Sequence, residues 1–100
     1  MKELVRNEFN LSDLLINKIF SIEDNSDSLL KRLRIVFKNG YGMSIIKGKY
    51  AYCGKDTYEI APINKEGGLQ GSLLKINFDD VLGYQTKQDI FEHMTILSNI

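Results

Sequence analysis

The side chains that could do chemistry are few, and none has the neighbours that catalysis or metal binding requires. The chain has one histidine, His93, and one cysteine, Cys53. A zinc site or an acid–base pair needs several such groups at suitable spacing, and no second histidine or cysteine supplies one. We therefore predict no catalytic residue, no metal site and no cofactor. His93 is expected at the edge of a helix's apolar stripe, and Cys53 is expected to be an inert thiol.

Acidic and glycine-rich stretches lead to the same conclusion. Asp79 and Asp80 could in principle hold a cation, but adjacent carboxylates between two elements are typical of a solvated turn. The run EDNSDS at 23–28 lacks the ordered spacing and final glutamate of a calcium loop. The glycine-rich pieces lack the lysine of a P-loop and the strand–turn–helix setting of a dinucleotide site. The sequence thus indicates a protein that is not an enzyme.

One basic, tyrosine-bearing segment stands out from this background. The chain carries 13 basic and 13 acidic residues, yet between Leu29 and Lys55 there are seven basic residues and no acidic one. Cations beside aromatic rings can contact phosphates and stack on bases, or can meet an acidic protein surface. The segment can also be a solvated sheet face without a partner. The candidate binding residues are Arg32, Arg34, Lys38, Tyr41, Lys47, Lys49, Tyr50 and Tyr52.

A β-hairpin is predicted to position these residues. In the first strand Leu33, Ile35 and Phe37 alternate with charged residues, which is typical of a strand with one buried face. Asn39-Gly40 favours a two-residue type I′ turn, because both central residues of that turn need a positive φ. Residues 41–48 would then form the return strand.

The length of the turn determines which residues face one another. A two-residue turn would place Arg34 opposite Ile45 and Arg32 opposite Lys47, all on the solvent side, with Ser44 facing the core. A turn one residue later would shift the register and change this arrangement.

The remaining pattern predicts an α+β fold. Further strands are expected at 57–63 and 71–78, and Thr86 with Asp89 fits a capping box that starts a helix over 86–98. We expect a single α+β domain, 1–100, in which a four-stranded antiparallel meander occupies 29–78. The C-terminal helix should pack on one face of this sheet, beside an N-terminal helical segment within 1–28.

The N-terminal segment is expected to form a helix over 11–22, with Ser12 as its N-cap. Leu14, Ile16 and Phe20 widen its apolar arc beyond a normal stripe. Such a helix can lie wedged between the sheet and the terminal segments, or can present Leu14, Ile16 and Phe20 to a target protein or to a second copy in a homodimer. The same residues also fit a strand.

Several motifs, taken in order, resemble those of a family of small uncharacterised proteins encoded by bacteriophages and related mobile elements of Gram-positive bacteria. The motifs are Asn39–Ile46 (NGYGMSII), Tyr50–Gly54 (YAYCG), Tyr58–Ala61 (YEIA), Asp79–Tyr84 (DDVLGY) and the capped C-terminal helix. The resemblance covers about residues 33–98. Cys53, where the family more often has glycine, and the strength of the basic segment 31–38 depart from that pattern.

The resemblance implies where the protein acts, but it assigns no catalytic activity and no catalytic residue. It implies a phage-type accessory protein that is made in the cytoplasm of a bacterial host cell and binds a host protein. Small proteins from that setting are often inhibitors of host machinery or of defence systems, anti-CRISPR proteins among them. No apolar run is long enough for a membrane span or a secretory signal, so we expect no membrane partner. The alternative is a nucleic-acid-binding module that uses the basic hairpin 31–49.

Overall fold

The computed structural model describes all residues 1–100, as three α-helices and five β-strands. Two short helices precede the sheet, and a longer helix follows it. The elements are α1 (Lys2–Phe9), α2 (Asp13–Ile16), β1 (Ile19–Asp24), β2 (Leu30–Phe37), β3 (Gly42–Gly48), β4 (Tyr58–Ile63), β5 (Leu82–Gln85) and α3 (Lys87–Ser98). None of these helices is long and apolar enough to cross a membrane.

The strands form one antiparallel sheet in the order β1-β2-β3-β4-β5, so each strand pairs with its neighbours in sequence. The α+β class, the meander and the packing of α3 on the sheet are confirmed, with five strands in place of four. The strand predicted at 71–78 is wrong, because that stretch begins as a 3₁₀ turn, Gly71–Leu74. The Gly71 amide donates to the Asp80 carboxylate, and a Cβ at Gly71 would collide with the Asp79 carbonyl oxygen.

The predicted helix over 11–22 is also wrong beyond its first turn. Ser12 caps the helix as expected, since its hydroxyl accepts from the Leu15 amide at 3.2 Å, but α2 ends at Ile16. The following run, IFSIED, forms β1 and pairs with β2. Its β-branched and aromatic residues suit a strand, and pairing with β2 satisfies backbone groups that a longer helix would have satisfied internally.

The β2–β3 hairpin closes with one residue more than predicted. Lys38, Asn39 and Gly40 form a turn in which the Gly40 amide donates to the Phe37 carbonyl at 2.9 Å and Gly40 has φ 92°. The Phe37 amide then donates to the Tyr41 carbonyl at 2.7 Å. A type I turn followed by a left-handed glycine is the usual three-residue hairpin connection.

This longer turn shifts the register by one residue, so the predicted pairing is wrong. Arg34 lies opposite Ser44, and Arg32 lies opposite Ile46. Met43 and Ile45 therefore face the core and are completely buried, whereas the predicted register would have exposed them. Burial of these two side chains decides the register, because a slip of one residue moves every side chain of β3 to the other face.

All three helices lie on one side of the sheet, which we call the inner face. The core there combines Leu33, Ile35, Met43, Ile45 and other strand residues with side chains from every helix. From α3 it takes Ile90, Met94 and Leu97; from α1 it takes Val5 and Phe9. The opposite side of the sheet, which we call the outer face, has no helix packed on it.

Candidate functional site

The outer face carries apolar side chains around two arginines. Phe20 is the extra residue of a β-bulge in β1, where two residues oppose Val36. Phe20 is 72% exposed, and Val36 and Ile46 are half-buried. Arg32 and Arg34 lie on β2, with Ile46 opposite Arg32 and the polar Ser44 and Glu23 opposite Arg34. This combination differs from the polar surface that an antiparallel sheet usually turns to water.

The two arginines differ in their exposure and in their contacts. Arg32 is exposed and forms no ion pair within 4 Å. Its charge contributes to the low pKa of Asp27, which mainly reflects hydrogen bonds from the Leu29 and Leu30 amides. Arg34 is half-buried and donates from Nη2 to the Gly67 carbonyl at 2.6 Å. No carboxylate lies within 4 Å of either guanidinium, although Glu23 of β1 lies opposite Arg34 on the same face of the sheet.

A loop between β4 and the 3₁₀ turn covers one end of the outer face. Residues 64–70 fold back along β4, with a bridge between Ile63 and Leu69 and a hydrogen bond from the Gln70 amide to the Pro62 carbonyl at 3.0 Å. The Asn64 carboxamide shapes the loop by accepting from the Glu66 and Gly68 amides at 3.0 and 2.9 Å. As a result Ile63 is 2% exposed, and through Gly67 the loop reaches Arg34 on β2. The open side of the outer face is therefore the part beyond this loop, which includes Phe20 on β1 and Arg32 with Ile46 on β2 and β3.

Lys47 is not on the outer face, contrary to the predicted register. It lies opposite Lys31, and its Nζ donates to the Thr57 carbonyl at 2.6 Å while sitting 4.7 Å from the centre of the Tyr58 ring. The Glu8 carboxylate offsets this pair of lysines, with its oxygens 2.9 Å from Lys31 Nζ and 3.0 Å from the Tyr58 hydroxyl. Burial, followed by the charge of Glu8, raises the pKa of Tyr58. These lysines therefore attach α1 to the sheet and contribute little to a docking surface.

The other predicted binding residues are spread over both ends of the hairpin. Lys38 is exposed at the turn, and the ring of Tyr41 lies 5.5 Å from Lys65 Nζ. At the opposite end, Lys49 Nζ is 5.8 Å from the ring of the exposed Tyr50. The predicted basic strip is therefore not one continuous surface.

Tyr52 belongs to a separate contact with β5. Its side chain is 62% exposed, its amide donates to the Glu59 carboxylate at 3.0 Å, and its carbonyl accepts from the Tyr84 amide at 2.9 Å. The backbone bond joins the β3–β4 connection to the last strand, and Gly83 lies close to Tyr52 where a Cβ would collide.

The predicted partner face of Leu14, Ile16 and Phe20 does not exist as one helix face. Leu14 is 71% exposed on α2, Ile16 is buried in the core, and Phe20 lies on β1. The three residues separate because the helix ends before Phe20. Of these residues, Phe20 lies beside the arginines on the open side of the outer face.

The side chains of His93 and Cys53 each make a separate hydrogen-bond contact and do not contribute to a shared site. Nε2 of His93 is 2.9 Å from the Gln85 carboxamide oxygen, and burial of the ring lowers the pKa of His93. The Cys53 thiol points to the Gly48 carbonyl at 3.5 Å. No group of three or more histidine, cysteine or acidic residues is placed to hold a metal ion.

Phe20 and Ile46 are the members of the open surface that the sequence analysis placed elsewhere, since it put Phe20 on a helix and its two-residue turn put Ile46 on the core face. The signal was present in two places: the strand-forming composition of residues 19–24 and the possibility of a longer turn at Asn39-Gly40. Comparison of the chain with protein-family models, with curated proteins and with solved structures found no match.

Proposed function

We propose that this protein is a non-enzymatic binding protein that docks on a partner protein through the open side of its outer face. The observation that carries this proposal is the composition of that surface. Phe20, Val36 and Ile46 share the outer face with Arg32 and Arg34, no helix is packed on that face, and the loop 64–70 reaches it at Arg34. Aromatic residues and arginine are enriched at the centres of protein–protein interfaces.

The chemistry of the surface favours an acidic partner. No carboxylate lies within 4 Å of either guanidinium, and Arg32 is the arginine without an acidic residue opposite it in the sheet. A partner surface with carboxylates around an apolar centre would pair with both arginines and cover Phe20. Such complementarity increases both the association rate and the specificity of a complex.

The biological setting belongs to the same proposal. On the motif resemblance, the partner is a host protein in a bacterial cell and the chain is a phage-type accessory protein. A small protein can block a host defence complex, as anti-CRISPR proteins do, by tight binding alone.

Affinity purification from lysate of the natural host, treated with nuclease, tests this proposal. The wild-type protein should retain one host protein, and Arg32→Glu should weaken its retention at least about tenfold, because reversing one central charge costs more than a kilocalorie per mole. Lys38→Glu is the matched control, since it reverses an exposed charge in the hairpin turn, beyond the end of β2 and away from Arg32. Equal retention of both variants would contradict the proposed surface.

A second candidate, nucleic-acid binding, is favoured by one observation. Lys49 lies beside the ring of Tyr50, and Tyr50 and Tyr52 are 83% and 62% exposed, so two rings are available for base stacking. This function predicts binding of single-stranded DNA or RNA that weakens steeply as salt is raised, because phosphate contacts release counterions. Tyr50→Ala should then reduce affinity severalfold, and binding unchanged at several hundred millimolar salt would exclude phosphate contacts as its basis.

A further inference from the structure

Three residues form a row across the outer face, at right angles to the strands. Arg32 on β2 lies opposite Ile46 on β3, and Ile46 lies opposite Glu59 on β4. One chain neighbour of each belongs to the core on the inner face, and side chains alternate along a strand, so all three point outward. We call Arg32, Ile46 and Glu59 the central row.

The two ends of the central row carry opposite charges that are unpaired. Arg32 forms no ion pair within 4 Å, and neither does Glu59. One carboxylate oxygen of Glu59 accepts from the Tyr52 amide at 3.0 Å, which holds it on the far side of Ile46 from Arg32. Adjacent strands lie about 4.8 Å apart, so the backbones of Arg32 and Glu59 are separated by about 10 Å. The row therefore presents a cation, an apolar side chain and a carboxylate at nearly equal steps.

This order of charges makes the central row complementary to itself. A second copy can be turned over about a two-fold axis that runs parallel to the strands and passes through Ile46. Its Glu59 then lies above Arg32 of the first copy, its Arg32 lies above Glu59, and the two Ile46 side chains meet on the axis. Two-fold contacts, in which one patch is used by both copies, are the commonest in homo-oligomers. A surface with charges of one sign only would repel its own copy.

The distances suit two sheets that pack face to face. Stacked sheets lie about 10 Å apart with their strands nearly aligned. An arginine on one sheet and a glutamate on the other can span that distance between them, and the isoleucines fill the space in the middle. The loop 64–70 reaches the outer face at Arg34, which lies on the next row, so it borders the second copy.

We propose that a second copy of this chain docks on the outer face, so that two reciprocal ion pairs between Arg32 and Glu59 flank a contact between the two Ile46 side chains. The proposal rests on the proposed function only in using the same open surface, because a host protein that docks there displaces the second copy. Exposed ion pairs contribute little individually, and the apolar centre is small. The dimer is therefore weak, and monomer and dimer exchange.

Sedimentation velocity of the purified protein, from micromolar to millimolar concentration, measures self-association without any host component. The wild-type protein should sediment faster as its concentration rises. Arg32→Glu alone and Glu59→Arg alone should each weaken the dimer at least about tenfold, because both ion pairs become repulsive. The double variant Arg32→Glu with Glu59→Arg exchanges the two charges and should restore the dimer.

An equimolar mixture of the two single variants tests the two-fold arrangement itself. In a mixed dimer both carboxylates of the Arg32→Glu copy face cations of the Glu59→Arg copy, so the mixture should associate although neither variant does so alone. Lys38→Glu mixed with Glu92→Arg is the matched control, since both positions are exposed and lie away from the central row, and it should show no gain on mixing. A wild-type protein that stays monomeric at millimolar concentration, or a mixture that associates no more than its components, would overturn the proposal.

The variant Glu59→Arg also separates this dimer from docking on a host protein. It should lose self-association yet still retain an acidic host protein, because Arg32 is unchanged. Host capture by a wild-type protein that is monomeric at millimolar concentration would contradict the dimer and leave the proposed function standing. Self-association that follows the charge exchange, without any host protein retained, would support the dimer and count against the host partner.

Discussion

Arg32 and Arg34 occupy the same face of one strand, yet their surroundings give them different roles. Arg34 donates to the Gly67 carbonyl and so holds the loop 64–70 against the sheet, whereas Arg32 makes no contact of that kind. Replacing Arg34 would therefore disturb both the loop and the surface. Arg32 is the better residue for testing a docking role, because its loss leaves no internal hydrogen-bond partner unsatisfied.

At the residue scale, His93 predicts how stability depends on pH. Burial lowers its pKa below the ordinary 6.5, against the smaller opposing effects of the Asp89 and Glu92 carboxylates. The unfolded chain therefore binds the proton more tightly than the folded protein. The contribution of the neutral His93 ring to the free energy of unfolding is fully present above pH 6.5. It is lost progressively as the pH is lowered below that value.

Urea unfolding between neutral pH and about pH 5 measures this effect. The free energy of unfolding should decrease over that range by no more than about 1.4 kcal/mol per pH unit, the limit for one proton. The carboxyl groups with lowered pKa values, such as that of Asp89, titrate below their ordinary 3.8 and act only at lower pH. The control variant His93→Gln should show a flatter profile, and an unchanged slope would show that another group is responsible.

At the element scale, α3 depends on the capping box at its first turn. The Thr86 hydroxyl accepts from the Asp89 amide at 3.1 Å, and the Asp89 carboxylate accepts from the Thr86 amide at 2.9 Å. The variant Thr86→Ala should lower the free energy of unfolding by about 1 kcal/mol, because it leaves a helix amide without an acceptor. The exposed Thr95→Ala on the same helix is the control and should change stability by less than about 0.5 kcal/mol.

Local sequence predicted the elements whose signals are local. The capping box of α3, the N-cap at Ser12 and the alternation of Leu33, Ile35 and Phe37 all reflect interactions within a few residues. The end of α2 was not predicted, because residues 19–24 form a strand only when β2 is available to pair with them. The composition of residues 19–24 allows a strand, but it does not by itself decide between a strand and a longer helix.

The candidate site was predictable only in part for the same reason. Its arginines were identified from the sequence, but which apolar residues surround them depends on one extra residue in the turn at Asn39. The carboxamide of Asn39 accepts from the Tyr41 amide at 3.1 Å and donates to the Leu97 carbonyl at 2.8 Å. The turn is thus held by a helix 58 residues away, a contact that hairpin statistics do not include.

At the scale of the whole molecule, one layer of helices on one face of the sheet leaves adjacent residues in opposite environments. Ile19 is completely buried, whereas its neighbour Phe20 is 72% exposed. We expect Ile19→Ala to lower the free energy of unfolding by about 2–5 kcal/mol through lost burial and a cavity. Phe20→Ala should change it by less than about 0.5 kcal/mol, as is usual for an exposed residue.

Chemical denaturation of the two alanine variants, with the same denaturant dependence in each, provides this comparison. A large loss of stability in Phe20→Ala would mean that the side chain contributes to the core and not to a docking surface. If instead Phe20→Ala is stable but loses its protein partner, the outer face is needed for binding and not for folding.

The meander has a consequence for how the protein is made. Each strand pairs with the strand synthesised just before it, so the sheet can assemble hairpin by hairpin as the chain leaves the ribosome. The helix that supplies Ile90, Met94 and Leu97 to the inner face follows all five strands in chain order. A ribosome stalled before α3 would thus display a paired but half-uncovered sheet, a nascent chain that chaperones should recognise and that is prone to aggregate.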